Sequence, residues 1–280
     1  MPVLYCRPIN NLANRMMSIT SAYRLSKMWG FDFCLIWDWG SENLFASPYE
    51  DLFKINFEVI RDFSNKSHNL FIPPRSESGR HFYKKPINGQ DVLLDGWGHL
   101  TLCESDLTLT PVEITSQLRL YFNLIFVPSE KVMNCCENLG YFNQYFNLGI
   151  HIRRGSIEFN NSPSNDKLLS IISNIISTQN PESIFISSND FQFADQLGLS
   201  YYSERRIFVS RCYNNQPSFR NHALAIYDLI FLSRCTEIIK NGATTFSSLA
   251  GLIGESEIYT INNEGQYSKH PAIYSAGAGL

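Results

Sequence analysis

The sequence predicts an α/β protein of two lobes, each built around a parallel sheet, and three observations predict it. The chain has 280 residues, 44 % of them hydrophobic, which is enough for two cores of roughly 130 residues each. It opens with an apolar strand run, a helical run and a second apolar strand run, the signature of a βαβ unit. Its second half then alternates short apolar runs with helical ones several times, again the pattern of parallel strands joined by helices.

The first element is the strand at residues 3–6. A polar stretch, Pro8 to Asn11, leads into a helix over 12–29 with apolar residues at helical spacing, stopped by Gly30. Residues 33–37, Phe-Cys-Leu-Ile-Trp, form the next buried strand. From Glu42 to Gly89 the periodicity loosens among Pro73-Pro74, Gly79 and many Asn and Ser residues, so loops and short helices are expected. A strand at 92–97 and a helix at 111–122, begun by Thr110, complete the first lobe, with the boundary placed between residues 135 and 136. In the second lobe the expected strands are 148–153, 183–187, 207–210, 237–240 and 258–261. The expected helices are 166–177, 190–197, 223–233 and 244–251, and the Gly- and Ala-rich tail from Ser275 is expected to be mobile.

The composition excludes several classes. A net charge of −3 and a pI near 6.1 argue against a nucleic-acid binder, which carries a basic balance or stripe. Seven cysteines without CxxC spacing indicate neither a zinc knuckle nor a disulfide framework, and read as thiols in a reducing compartment. The N-terminal residues hold no apolar stretch long enough for a signal or anchor, so no integral membrane segment and a cytoplasmic location are expected.

The chemistry concentrates in two segments. In the run from Leu148 to Ser156, Arg153 and Arg154 stand at the end of an apolar strand and before Gly155. Open α/β sheets place ligands at that end. A guanidinium suits a diphosphate because its planar fork donates paired hydrogen bonds and stays charged at any working pH. The other reading, a surface pair neutralising carboxylates, fits the strand position less well. The second segment, Asn241 to Gly251, opens a helix directly after a strand. Its amides, its Thr and Ser hydroxyls and the positive end of its dipole make an anion site when joined to the arginines. The loop Asn10-Asn11-Leu12-Ala13-Asn14-Arg15 opens the first helix and reads either as a third part of that site or as a plain capped helix.

These residues resemble the fucosyltransferase superfamily that shares an HxRRxD-type motif, comprising α1,2-, α1,6-, protein O- and nodulation fucosyltransferases. Asn10 to Arg15 is similar to its N-terminal Gly-Asn-Arg loop. His151 to Ser156 matches its central motif, and Asp228 with Thr244 to Ser248 its C-terminal block. The whole chain is also similar to β-xylosyltransferases of this organisation from algal viruses. The resemblance implies a GT-B-like α/β fold, two Rossmann-like domains facing a cleft. Residues 1–135 would form the acceptor side and residues 136–280 the nucleotide-sugar side. It further implies an inverting glycosyltransferase without cofactor or required metal. Donor-binding residues carried over by position are Asn11, Asn14, Arg15, His151, Arg153, Arg154, Asp228, Thr244, Thr245, Phe246, Ser247 and Ser248. Among them, His151 and Asp228 would hold base or ribose, and the arginines with Thr244 to Ser248 the diphosphate.

Two departures matter. Ser156 stands where the family has an acid, and Asn10 to Ala13 replace glycines. GDP-fucose and UDP-xylose are therefore both open as donors, and a catalytically inactive nucleotide- or glycan-binding module of the same fold is the alternative. A further rival is another transferase or a phosphatase that uses the arginines for phosphate. Inverting transfer needs a carboxylate to accept the acceptor's proton. Glu158 is the first choice, with Asp38 and Asp95 in reserve. Trp39, Trp97 and His99 are the expected acceptor contacts, because aromatic faces pack on sugar C–H faces. The partners implied are a nucleotide sugar and a glycan hydroxyl, with no nucleic acid.

Overall fold

The computed structural model describes all residues except 10, 39–46, 62, 64–69, 72–81, 87–88, 98–101, 104–107, 138–143, 155–162, 202–204, 211–217, 243, 263 and 271–280. The chain divides into two compact units. The first comprises Met1–Asn138, Gln216–Ala223 and Gly277–Leu280; the second comprises Leu139–Asn215 and Leu224–Ala276. The return of Gln216–Ala223 to the first unit has no counterpart in the sequence pattern. Within that unit, the buried His222 brings its Nδ1 to 3.0 Å from Ser47 Oγ.

The first unit runs β1 (Val3–Pro8), α1 (Leu12–Trp29), β2 (Asp32–Ile36), α2 (Tyr49–Leu52), β3 (Glu58–Ile60), β4 (Leu70–Phe71), β5 (Phe82–Tyr83), β6 (Asp91–Trp97), β7 (Leu102–Cys103), α3 (Pro111–Ile125) and α4 (Glu130–Glu137). Five strands form a parallel sheet in the order β3-β2-β1-β6-β4, and β5 pairs with β7. Helix α1 is buried on nearly every side, so its hydroxyls bond back to its own carbonyls: Thr20 to Met16 at 2.7 Å and Ser26 to Tyr23 at 2.7 Å. Gly30 ends it in the left-handed region at φ 69° and donates its amide to the last carbonyls, a conformation costly for a residue with a Cβ. Thr110 and Glu113 cap α3 reciprocally. The stretch expected to hold loops and short helices contains α2 but also β3, β4 and β5. These strands are two or three residues long, too short for an alternating pattern, and exist because a neighbouring strand supplies their hydrogen bonds.

The second unit runs β8 (Phe146–Ile152), α5 (Asn165–Gln179), β9 (Ser183–Ser188), α6 (Phe191–Tyr201), β10 (Arg206–Val209), α7 (Phe219–Leu232, of which it holds the part from Leu224), β11 (Cys235–Asn241), α8 (Thr245–Gly254), β12 (Glu257–Ile261) and β13 (Tyr267–His270). The sheet order is β10-β9-β8-β11-β12-β13, parallel except for β13. The antiparallel return of β13 follows a turn at Gly265, φ 81°, and has no strong apolar run to announce it. Alternation along β8 divides its two faces. Leu148, Ile150 and Ile152 enter a core with Leu168, Ile172 and Ile176 of α5 and Phe193 and Leu197 of α6. Gly149 and His151 point to the opposite face. A Cβ at Gly149 would sit 2.8 Å from Cys235 Sγ and 3.1 Å from Leu232 Cδ2, so glycine lets the end of α7 close on the sheet.

Candidate active site

In the second unit, the chain leaves the central strand β8 towards β9 and β10, then returns to its other side as β11 and β12. The β8–β11 junction is therefore a topological switch point, and ligands of open α/β sheets bind outside the carboxyl ends of the strands there. His151, Arg153 and Arg154 come from the end of β8, and Asn241 and Thr244 from the end of β11.

Two asparagines shape the backbone at this junction. The fully buried Asn241 accepts from the Arg153 amide at 2.8 Å and donates to the Arg153 carbonyl at 2.8 Å. On the other side, Asn189, just past β9, does the same for Arg154, 2.7 Å in each direction. Each side-chain amide thus imitates the edge of a neighbouring strand and holds the arginine backbone extended beyond the sheet. Both arginines are half-buried. Arg154 Nε and Nη2 are shielded from solvent and have no hydrogen-bond partner among the described residues. Burial lowers the Arg154 pKa, with the Asp190 charge pulling the other way. A guanidinium fixed by its backbone and left with open donors is the arrangement that an anionic ligand completes.

His151 lies on the sheet face covered by α8. Its Nδ1 is 3.2 Å from Ser247 Oγ and 3.4 Å from Thr244 Oγ1, and those two hydroxyls bond to each other. The Phe246 ring centroid is 5.2 Å from that of His151. Because the Thr244 hydroxyl is used in this way, no side chain caps the first turn of α8, which also lacks an acidic residue. Its amides and dipole are free to face an anion. Burial, then the Arg153 and Lys240 charges, push the His151 pKa down to about 3, so the ring is neutral at physiological pH. Its carbon-bound proton resonances are expected to stay constant from pH 5 to 8 in NMR titration; a midpoint near 6.5 would refute the buried, cation-flanked environment. Since the folded pKa is the depressed one, the stability contributed by His151 is complete above about pH 6.5. It is lost as pH falls from there through about 3.

Asp228, on α7, is buried and accepts from Ser187 Oγ at 2.6 Å. Ser187 is in register with His151, and His151 with Lys240, so the three side chains form a row across β9, β8 and β11. Thr245 and Phe246 are half-buried, and Ser248 is buried, donating to the Thr244 carbonyl at 2.8 Å. The second unit thus brings together His151, Arg153, Arg154, Asp228 and Thr244 to Ser248. Sequence reasoning missed Asn189, Ser187, the role of Asn241 and the burial of Lys240. An Asn directly after a buried strand was the one available signal.

The remaining residues named from the sequence belong to the first unit or lie outside the described residues. Asn11 is the N-terminal cap residue of α1 without a side-chain cap bond, and Asn14 lies half-buried in its first turn. Arg15 is buried, stacks 5.1 Å from the Trp37 ring centroid and donates to the Asp38 carbonyl at 3.4 Å. Burial pulls its pKa down to about 10, against the charge of Asp38. Asp95 has both oxygens engaged by Arg7, at 2.5 and 2.6 Å. Asp38 is half-buried near the same cations. Glu158, Ser156, Trp39 and His99 lie outside the described residues, as does the side chain of Trp97. Among the described residues no three His, Cys, Asp or Glu side chains are grouped to hold a metal ion, and no helix is long and apolar enough to cross a membrane.

No protein-family model matches the chain, and no curated protein sequence does. Solved structures do. The fucosyltransferase NodZ from Bradyrhizobium is similar over 97 % of this chain and 99 % of its own, with 15 % identity and a TM-score of 0.64. A mutant of Arabidopsis thaliana FUT1 in complex with GDP is similar over 93 % and 70 %, with 13 % identity and a TM-score of 0.57. POFUT1 in complex with GDP is similar over 92 % and 97 %, with 11 % identity and a TM-score of 0.53. Likeness at this identity establishes a fold, and the parallel sheets of both units agree with it. Over nearly its whole length, the chain has the GT-B-type α/β fold of these fucosyltransferases.

Proposed function

We propose that the chain is an inverting, metal-independent glycosyltransferase that moves one monosaccharide, fucose from GDP-fucose or xylose from UDP-xylose, onto a hydroxyl of a glycan. The observation that carries this reading is Arg154. Its Nε and Nη2 have no partner among the described residues and stand at a topological switch point, beside a second arginine whose backbone is clamped to β11. The fold supports it: NodZ has been soaked with GDP-fucose, and FUT1 and POFUT1 are structures in complex with GDP. The second unit would bind the donor and the first the acceptor. Among the described residues Cys6 and Cys235 are buried thiols outside any disulfide, which suits a reaction in the cytoplasm.

In this reaction the acceptor oxygen bonds to the anomeric carbon from the face opposite the diphosphate, and the carbon–oxygen bond to the diphosphate breaks. The acceptor's proton passes to a carboxylate, for which Glu158 is the first choice and Asp38 and Asp95 the reserves. Charge accumulates on the leaving diphosphate, where Arg153, Arg154 and the first turn of α8 stabilise it without reorganising. Asp228 and His151 would shape the base and ribose end, and Trp39, Trp97 and His99 the acceptor end.

The test is incubation with GDP-fucose and UDP-xylose separately, measuring nucleotide release with and without glycan acceptors. Release from one donor, stimulated by an acceptor, is expected. Binding of GDP or UDP without turnover of any sugar nucleotide would leave the inactive binding module as the correct reading, and absence of binding would sink both.

A further inference from the structure

Lys240 belongs to none of the motif blocks and is the most unusual charge in the second unit. It is only 1 % exposed, near the end of β11, and its ammonium donates to Ser248 Oγ at 2.8 Å. Ser248 Oγ in turn donates to the Thr244 carbonyl at 2.8 Å. No carboxylate bonds to Lys240 among the described residues. The charged and titratable groups around it are few. His151 lies opposite it on β8 and is neutral; Arg153 follows at the end of that strand; Asp228 of α7 is two strands away, bonded to Ser187. Helix α8 has no charged residue, and Thr260 is the register partner on β12. On β11 itself, Glu237 is at the far end, bonded to Gln179. A buried ammonium without an anion is costly. Its bond to Ser248, in the first turn of α8, places the Lys240 ammonium behind the turn where an anion is expected.

We propose that Lys240 is the buried counter-charge of the donor's diphosphate, a positioning residue that acts through Ser248 and the first turn of α8. The inference rests on the nucleotide-sugar reading given above. It has a consequence that a purely structural lysine lacks. Burial brings the Lys240 pKa down to about 8, so the free protein loses this charge as pH rises through that value. A diphosphate arriving beside it restores the ammonium form, and binding above pH 8 draws a proton from solution. The diphosphate itself, fully ionised there, takes up none.

The experiment is calorimetric titration of the full chain with GDP and with UDP at pH 8.5, in buffers of different ionisation enthalpy, for the wild type and Lys240→Met. The wild type is expected to take up a fraction of a proton on binding, and its affinity to fall about fourfold between pH 7 and 8.5, below the pH at which the bases ionise. Lys240→Met is expected to show neither effect and to bind more weakly at pH 7.5. Proton uptake absent in the wild type, or equal in the two proteins, overturns the inference while the nucleotide reading stands. The wild-type measurement decides the matter even if the variant fails to fold. Failure of the wild type to bind either nucleotide at pH 7.5 overturns the nucleotide reading, and the inference with it.

Discussion

Arg154→Ala is expected to lose turnover of the sugar nucleotide by about 2–4 kcal/mol of transition-state stabilisation, roughly 30- to 1,000-fold in kcat/KM, with no loss of thermal stability. The two halves of this expectation have one cause. Arg154 Nε and Nη2 are buried without a partner among the described residues, so the ligand-free protein bears an unsatisfied polar group, which costs about 1–3 kcal/mol. Removing the guanidinium relieves that cost in the free protein and removes the anion's partner in the complex. The melting temperature should therefore hold or rise while kcat/KM collapses. A fall in melting temperature with normal kinetics would reverse the assignment and make Arg154 a structural residue.

Asn241→Ala is the second large effect, and it falls on stability as well as activity. The wild-type side chain is fully buried and satisfies both the amide and the carbonyl of Arg153. Its loss leaves two backbone groups without their partner at the end of β8, a destabilisation of about 2–4 kcal/mol. It also frees Arg153 to move, so donor affinity should fall even though Asn241 need not touch the ligand. Asn241→Asp separates the contributions: one oxygen still accepts from the Arg153 amide, but the other meets the Arg153 carbonyl, acceptor against acceptor. Asn189→Ala, at the half-buried counterpart on Arg154, should cost less stability because water reaches that site. Chemical denaturation read beside donor titration checks all three, and an Asn241→Ala protein as stable as wild type would show that the backbone is held extended by the sheet alone.

Much of the fold was legible because its long elements announce themselves. The apolar run over 33–37 overlaps β2 over 33–36, the helical run over 12–29 coincides with α1, and Gly30 ends α1 as its conformational freedom requires. The capping box at Thr110 and Glu113 is local chemistry, and a local reading finds it. What escaped was non-local. Strands β3, β4 and β5 are two or three residues long and have no period of their own. Strand β13 exists because β12 offers an open edge. For the site, the arginine pair and the Thr244 to Ser248 turn were visible as residue types after apolar strands, whereas Asn189 drew no notice and Asn241 stood out only as the first residue of the second segment.

By itself the sequence determined the α/β alternation, the positions of the long strands and helices, and the placing of Arg153 and Arg154 at a strand's carboxyl end. Those depend on periodicity and on residues a few positions apart. Only the tertiary structure decided that β8 and β11 are neighbours, which makes their junction a switch point. It also decided that Asn189 and Asn241 grip consecutive peptide groups from opposite sides, and that Lys240 is sealed under α8 beside a neutral His151. The asparagine grips join residues 35 and 88 positions apart. They turn on burial and register, which set the cost of a charge or an unpaired donor and which no local pattern encodes.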